Sequence, residues 1–252
     1  MFERRVDSLS VVNEMQLAGI SYFDPFLKHF MRAALQSGGE VIASEDGSGA
    51  ITGIAIYDGE ERAGSIFTRS TEVFEKLRRT HGSAVWFSEI AMGVKKETYL
   101  IYVMNPSEGI PMQRFRHEVT LAASEDIRGI TQTLKEVYGR TSEKWVRAAF
   151  LEQEKCFLVK DGETVTGVAW LSIANHSGRL HTLSVLPRYR RQGIGRDLLL
   201  ARLMWLRAAG AELAISEIAE SNTASRRIAE AAGMQAADEI YQYYEGTADG
   251  AA

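Results

Sequence analysis

Residues 43–57 read ASEDGSGAITGIAIY, and residues 158–171 read LVKDGETVTGVAWL. Each sets a D-G turn before a strand written I/V-T-G-I/V-A, and D-G between alternating apolar residues is a strong hairpin signal. In both places a further strand and then a helix follow. This repetition of hairpin, strand and helix points to two diverged copies of one fold, with chance similarity between two hairpins as the alternative.

The rest of the chain fits around those two units. FDPFLKHFMRAALQSGG (23–39) has helical apolar spacing and ends in glycines. AGSIFT (63–68) reads as a strand, STEVFEKLRRTHG (70–82) as a helix capped by Ser70 or Thr71, and SAVWFSEI (83–90) and ETYLIYVMNP (97–106) as strands. NPSEGIPMQRFR (105–116) carries proline, glycine and charge and is the best linker.

The second half opens with a strand in HEVTLAA (117–123) and two helices, 124–139 and 142–153, each preceded by a capping Ser. The hairpin 156–174, the strand RLHTLSVLP (179–187) and a helix over 196–210 come next. A strand (212–219), a helix stopped by Gly233 and a short last strand within 234–246 complete the series. The expected domains are 1–112 and 113–246, with a flexible tail at 247–252, and the fold class is α+β with a mixed sheet. The last strand has no evident partner after it, so the first half is expected to cover its edge.

Overall charge narrows the partners. A formal charge of −4 argues against a general nucleic-acid binder, so any anion site must be local. The single cysteine, Cys156, excludes an internal disulfide and suits a reducing, cytoplasmic setting. The first residues are too polar for a secretory signal, and no apolar run reaches the roughly 18 residues of a membrane span. No metal-ligand cluster is expected.

The densest positive charge falls on PRYRRQGIGRDLLL (187–200), between a strand and a helix. A helix N-terminus offers unpaired N–H groups and partial positive charge to an anion. Gly193 and Gly195 permit close backbone approach, and Arg190, Arg191 and Arg196 add cations around that cradle. A phosphate or pyrophosphate site is the physical reading, and a solvated basic turn is the plainer one. Absence of Gly-Lys-Ser/Thr excludes a nucleotide P-loop, and Leu198 stands where the third glycine of the dinucleotide fingerprint belongs.

Arg190-x-x-Gly193-x-Gly195, after LSVLPRY and before RDLLLARL, closely resembles the hallmark of the GCN5-related N-acetyltransferase (GNAT) family. The resemblance covers roughly residues 117–245 and implies a GNAT fold there, with a degenerate GNAT-like first half. It implies that Arg190, Arg191, Gln192, Gly193, Ile194, Gly195 and Arg196 hold the pyrophosphate of acetyl-CoA. Leu183, Ser184 and Val185 would offer backbone groups to the pantetheine arm and thioester. Asn222 matches a CoA-contacting Asn that is also a natural helix cap, and Ser225 takes the small position three residues later.

For catalysis, the resemblance makes Glu217 the first candidate base, because ribosomal-protein N-terminal acetyltransferases of bacteria carry a Glu five residues before that Asn. An exposed strand carboxylate or an arginine's partner is the plainer role. His181 is the alternative base, since imidazole has a reference pKa of about 6.5. Many members place an acidic Tyr seven residues after the Asn, but here that residue is Ala229. Tyr241, with Tyr243 on the same strand face, and Tyr244 are candidates to replace it, against a packing role.

The implied activity is transfer of an acetyl group from acetyl-CoA to a primary amine (a protein N-terminus, a lysine or a small-molecule amine) by direct attack. The alternative is an acyl-CoA-binding sensor without turnover. The first half lacks the loop and is expected not to bind CoA by this route. Oligomeric state, a homodimer included, stays open.

Overall fold

The computed structural model describes residues 2–7, 27, 31, 34–35, 38–58, 63–68, 70–80, 85–88, 95–111, 114–139, 141, 143–151, 154–174 and 176–244. Contacts gather the chain into two compact units, 1–100 with 219–221 and 238–252, and 101–218 with 222–237. The division therefore falls between Leu100 and Ile101, inside a strand, and not in the 105–116 segment; the end of the last strand counts with the first unit.

The first unit is built on β1 (Phe2–Val6), β2 (Glu40–Glu45), β3 (Ile51–Asp58), β4 (Ala63–Thr68) and β5 (Val85–Ser88), adjacent in that order. Pairing is antiparallel up to β4, then parallel from β4 to β5 across helix α1 (Thr71–Thr80). Val73, Phe74 and Leu77 of α1 bury against Ile42, Ala55 and Ile66. Of the helix expected over 23–39, Leu27, Met31 and Ala34 are described, helical and buried; most of the stretch lies outside the described residues, as does the tail.

The second unit holds β6 from Ile101 (Lys95–Met104), then β7 (Thr120–Leu121), β8 (Lys155–Asp161), β9 (Thr164–Ala174), β10 (Ser177–Val185) and β11 (Leu213–Ala219). Its strand order is β6-β11-β10-β9-β8-β7. The helices are α2 (Ile127–Tyr138), α3 (Glu143–Leu151), α4 (Ile194–Ala208) and α5 (Thr223–Ala231). Ile130, Leu134 and Val146 of α2 and α3 pack on Leu158, Val168 and Trp170, while Leu198, Leu203 and Leu206 of α4 are buried.

The duplicated hairpin has a physical basis. Thr52 Oγ1 donates to Ser44 O at 3.2 Å, and Thr166 Oγ1 donates to Val159 O at 3.0 Å. Both hairpins shift register at that point, between Ser44 and Glu45 and between Val159 and Lys160. A Cβ on Gly53 would lie 2.6 Å from Val73 Cγ1 of α1, and one on Gly167 would lie 2.6 Å from Ile194 Cγ2 of α4. In each T-G pair the threonine pins the hairpin and the glycine admits the crossover helix onto the sheet.

Three local expectations are corrected. The strand expected over 117–123 shrinks to Thr120–Leu121. The helix expected to start on Ser124 begins as a 3-10 turn, and Asp126 Oδ2 accepts from Ala123 N–H at 2.9 Å, so the acid and not the serine closes that end; Ser142 lies outside the described residues. The final strand is not short: β12 runs Gln235–Tyr244, and its end pairs antiparallel with β5, Tyr241 opposite Ser88. No helix among the described residues is long and apolar enough to cross a membrane.

Candidate active site

β10 and β11 begin as a parallel pair and then part. Their register runs from Ser177 opposite Leu213 to Arg179 opposite Ile215 and ends there. Ser216 Oγ, on β11, takes up Leu180 O at 2.9 Å, so a side chain replaces the next rung of the ladder. On the other side, β10 pairs β9 down to His181 opposite Trp170 and resumes only at Ser184 opposite Val168. The bulge puts Thr182 at φ +50°, a strained value for a β-branched residue.

A buried cation holds that bulge. Arg202 of α4 donates to Trp170 O at 3.0 Å, His181 O at 3.3 Å and Leu198 O at 3.2 Å. Burial depresses its pKa to about 9, which still leaves it charged at neutral pH. Ser184, also buried, donates from Oγ to the hydroxyl of Tyr138 at 2.9 Å.

The loop beyond β10 brings the N-terminus of α4 to the gap. Leu186 N–H bonds Thr166 O, a 3-10 turn follows over Pro187–Tyr189, and Arg190 Nε donates back to Val185 O at 3.1 Å. Arg191 and Gly193 take positive φ, 61° and 97°. Gly193 is the N-cap of α4 with no side-chain cap, so the helix's first N–H groups remain open to a ligand. A Cβ on Gly195 would sit 3.2 Å from Ile228 Cδ1 of α5 and 3.9 Å from Leu183 Cδ2 and Val185 Cγ2, which fixes how closely α4, α5 and β10 converge. Asn222 caps α5, its side chain accepting from Ser225 N–H at 3.1 Å.

The arginines divide unequally. Arg188 pairs with Glu136 at 3.0 Å. Arg196, expected as a ligand cation, instead spends its guanidinium on Asp197 at 2.6 Å and on Arg114 O at 3.0 Å. Ile194 is likewise core by its side chain. Asp197, fully buried, accepts from Arg116 N–H at 2.9 Å, His117 N–H at 3.0 Å and His117 Nδ1 at 2.9 Å. Burial pushes its carboxyl up, but the Arg196 and His117 side chains and the two N–H groups outweigh that and hold it below the usual carboxylate range.

The candidate bases are both partnered. Arg179 Nε lies 3.0 and 3.1 Å from the two oxygens of Glu217, which makes the first choice an arginine's ion-pair partner. His181 has Nε2 3.3 Å from Glu154 Oε1 and Nδ1 3.1 Å from Thr182 Oγ1, next to the bulge. Tyr241 is not gathered here: it packs on the apolar cluster of α1 and β2–β4, with its hydroxyl bonded to Glu239. No cluster of three metal-ligating side chains occurs among the described residues.

Sequence reasoning missed Asp197, Glu154, Arg202 and Tyr138. Asp197 and Arg202 did leave a signal, a charge inside the apolar face of GIGRDLLLARLMWL, where a buried carboxylate or guanidinium must find partners.

Residues 120–234 match the acetyltransferase (GNAT) family model. Comparison with curated proteins gives no match. Among solved structures, the chain is similar to an acetyltransferase of the GNAT family from Colwellia psychrerythraea at 13% identity, over 97% of this chain and 99% of that one, with TM-score 0.65. A tandem GNAT protein from the clavulanic acid biosynthesis pathway matches at 13% identity over 98% and 100%, with TM-score 0.63. A GCN5-related N-acetyltransferase from Sphaerobacter thermophilus matches at 14% over 81% and 79%, with TM-score 0.62.

Proposed function

Residues 120–234 are a GNAT acetyltransferase domain, and from that premise we propose that it transfers an acetyl group from acetyl-CoA to a primary amine by direct attack. One observation carries the reading: β10 leaves β11 after Arg179, and the start of α4, with no side-chain cap, packs at Gly195 beside Leu183 and Val185 of the parted strand. That arrangement suits a pantetheine arm laid along Leu183–Val185 with its pyrophosphate on the N–H groups of Gly193–Arg196.

The amine nitrogen attacks the thioester carbonyl carbon, the C–S bond breaks, and CoA leaves as its thiolate. Holding both reactants in line supplies much of the rate. His181, with Glu154 3.3 Å from its Nε2, is the base we favour for removing the ammonium proton, with Glu217 second because Arg179 already engages both its oxygens. Thiols ionise with a reference pKa of about 8.5, so CoA departs tolerably without the Tyr that Ala229 replaces.

A second reading, acyl-CoA binding without turnover, is favoured by Ala229, which is buried and has no proton to give. In the first half we assign no CoA site of this kind, a reading supported by the start of α1, where Val73 N–H bonds Ser70 Oγ at 3.3 Å. Calorimetric titration of acetyl-CoA, followed by thiol release with a panel of amines, tests both readings. One equivalent bound by the wild type, none by Gly193→Glu, and amine-dependent CoA release are expected. Binding without release would favour the sensor, and no binding would sink both.

A further inference from the structure

The phosphate loop is not built from residues 187–196 alone. Segment 114–117, which joins the end of the 105–116 stretch read as a linker to the first residue after it, is strapped onto the N-terminus of α4. Asp197 takes two of its backbone N–H groups and the His117 ring, and Arg196 reaches Arg114 O. With Asp197 fully buried and below the usual carboxylate range, this strap is a fixed part of the loop.

The strap delivers a side chain. A Cβ built on Gly193 would lie 3.2 Å from Arg116 Cδ, 3.9 Å from Arg116 Nη1 and 3.9 Å from His117 Cε1. The Arg116 stem therefore runs across the glycine at the head of α4. Among the described residues its guanidinium makes no hydrogen bond or ion pair, and it is exposed. Meanwhile Arg196 and Arg188 are neutralised by Asp197 and Glu136.

We infer that Arg116 supplies a cation to the pyrophosphate of acetyl-CoA, replacing the one Arg196 gives up to Asp197, and that Asp197 is the residue that positions it. The inference rests on the acetyl-CoA reading above. Its chemistry is that of a planar guanidinium carried beside the N-terminus of a helix. Because Asp197 binds the backbone of Arg116 and not its side chain, the guanidinium can be removed with the strap intact.

The test is calorimetric titration of the full chain, as wild type, Arg116→Gln and Arg116→Lys, with CoA and with 3′-dephospho-CoA at one ionic strength. Arg116→Gln is expected to raise both Kd values by the same factor, about tenfold for a lost charge-assisted contact. The melting temperature should hold, and Lys should recover part of the loss. Unchanged Kd values would overturn the inference, and a loss confined to CoA would move Arg116 to the 3′-phosphate and overturn it too. A loss accompanied by a lower melting temperature would reduce Arg116 to a structural part of the strap. Failure of the wild type to bind either ligand would instead remove the cofactor reading, and this inference with it.

Discussion

Gly167→Ala should loosen the cofactor site through a single methyl group. That methyl would lie 2.6 Å from Ile194 Cγ2 and 3.0 Å from Leu198 Cδ1, against an optimum of about 3.5–4.0 Å for carbon pairs. Ile194 and Leu198 are buried and β- or γ-branched, so α4 must retreat by roughly 1 Å or its core must repack. Overpacking of this kind costs about 1–3 kcal/mol. At roughly 2–4 °C per kcal/mol for a chain of this size, the melting temperature should fall by about 2–12 °C. Retreat of α4 also withdraws its first N–H groups from the ligand, so acetyl-CoA affinity should fall about tenfold, equal to about 1.4 kcal/mol. Gly53→Ala is the matched control: its methyl would meet Val73 Cγ1 at 2.6 Å and Thr68 Cβ at 3.2 Å, in the half without the loop. It should lower the melting temperature similarly and leave acetyl-CoA affinity within about twofold. Thermal melts and calorimetry on both variants decide the matter. Equal losses of affinity would refute the assignment of the cofactor to the second half, and an unshifted melt for Gly167→Ala would refute the packing argument.

Two further outcomes follow from the site. Replacing His181 with Gln should lower kcat by about 10²–10⁴-fold with little change in acetyl-CoA Kd, and Glu154→Gln should give a smaller fall with a displaced pH profile; thiol release measured against pH checks both, and a full-speed His181→Gln enzyme would return the base to Glu217. Asp197→Asn should cost about 3 kcal/mol at neutral pH, as expected for breaking a buried charge network. Because the folded Asp197 carboxyl sits below its ordinary value of about 3.9, its stabilisation is present above that pH and is lost as pH falls through the lower folded value, so the variant's stability should decline less steeply on acidification in melts taken across that range.

The pattern of hairpins, strands and crossover helices was readable because it is written in local chemistry: D-G turns, T-G pairs and glycines at helix ends. The loop was readable for the same reason, since its glycines and arginines are contiguous. What could not be read depends on groups far apart in sequence. Nothing adjacent to Glu217 foretells Arg179, and nothing near His181 foretells Glu154. The arginine loop looked richer in cations than it is, because Asp197 and Glu136 consume two of them, while Arg116 arrives from a stretch that composition marks as a linker. Tyr241 looked chemical only because its neighbours in the first unit were not visible along the chain.

The two halves together isolate what turns a crossover helix into an anion site. β4-α1-β5 and β10-α4-β11 share parallel strands, a T-G glycine under the helix and the same hairpin before it. They differ where the helix begins. On α1, Thr68 Oγ1 takes Ser70 N–H at 3.1 Å and Ser70 Oγ takes Val73 N–H, so a side chain caps one of the helix's first donors. On α4, Gly193 at φ +97° has no side chain to offer, and the carboxylate of the first turn, Asp197, is engaged by Arg196 and the 114–117 strap. Unmet donors, a partial positive helix end and a carboxylate held off by its own partners all favour a negative ligand at one helix and not at the other. The shared hairpin, glycine and crossover helix give both halves a like scaffold, and the residues at the helix N-terminus are the ground on which we assign the pyrophosphate to α4 and not to α1.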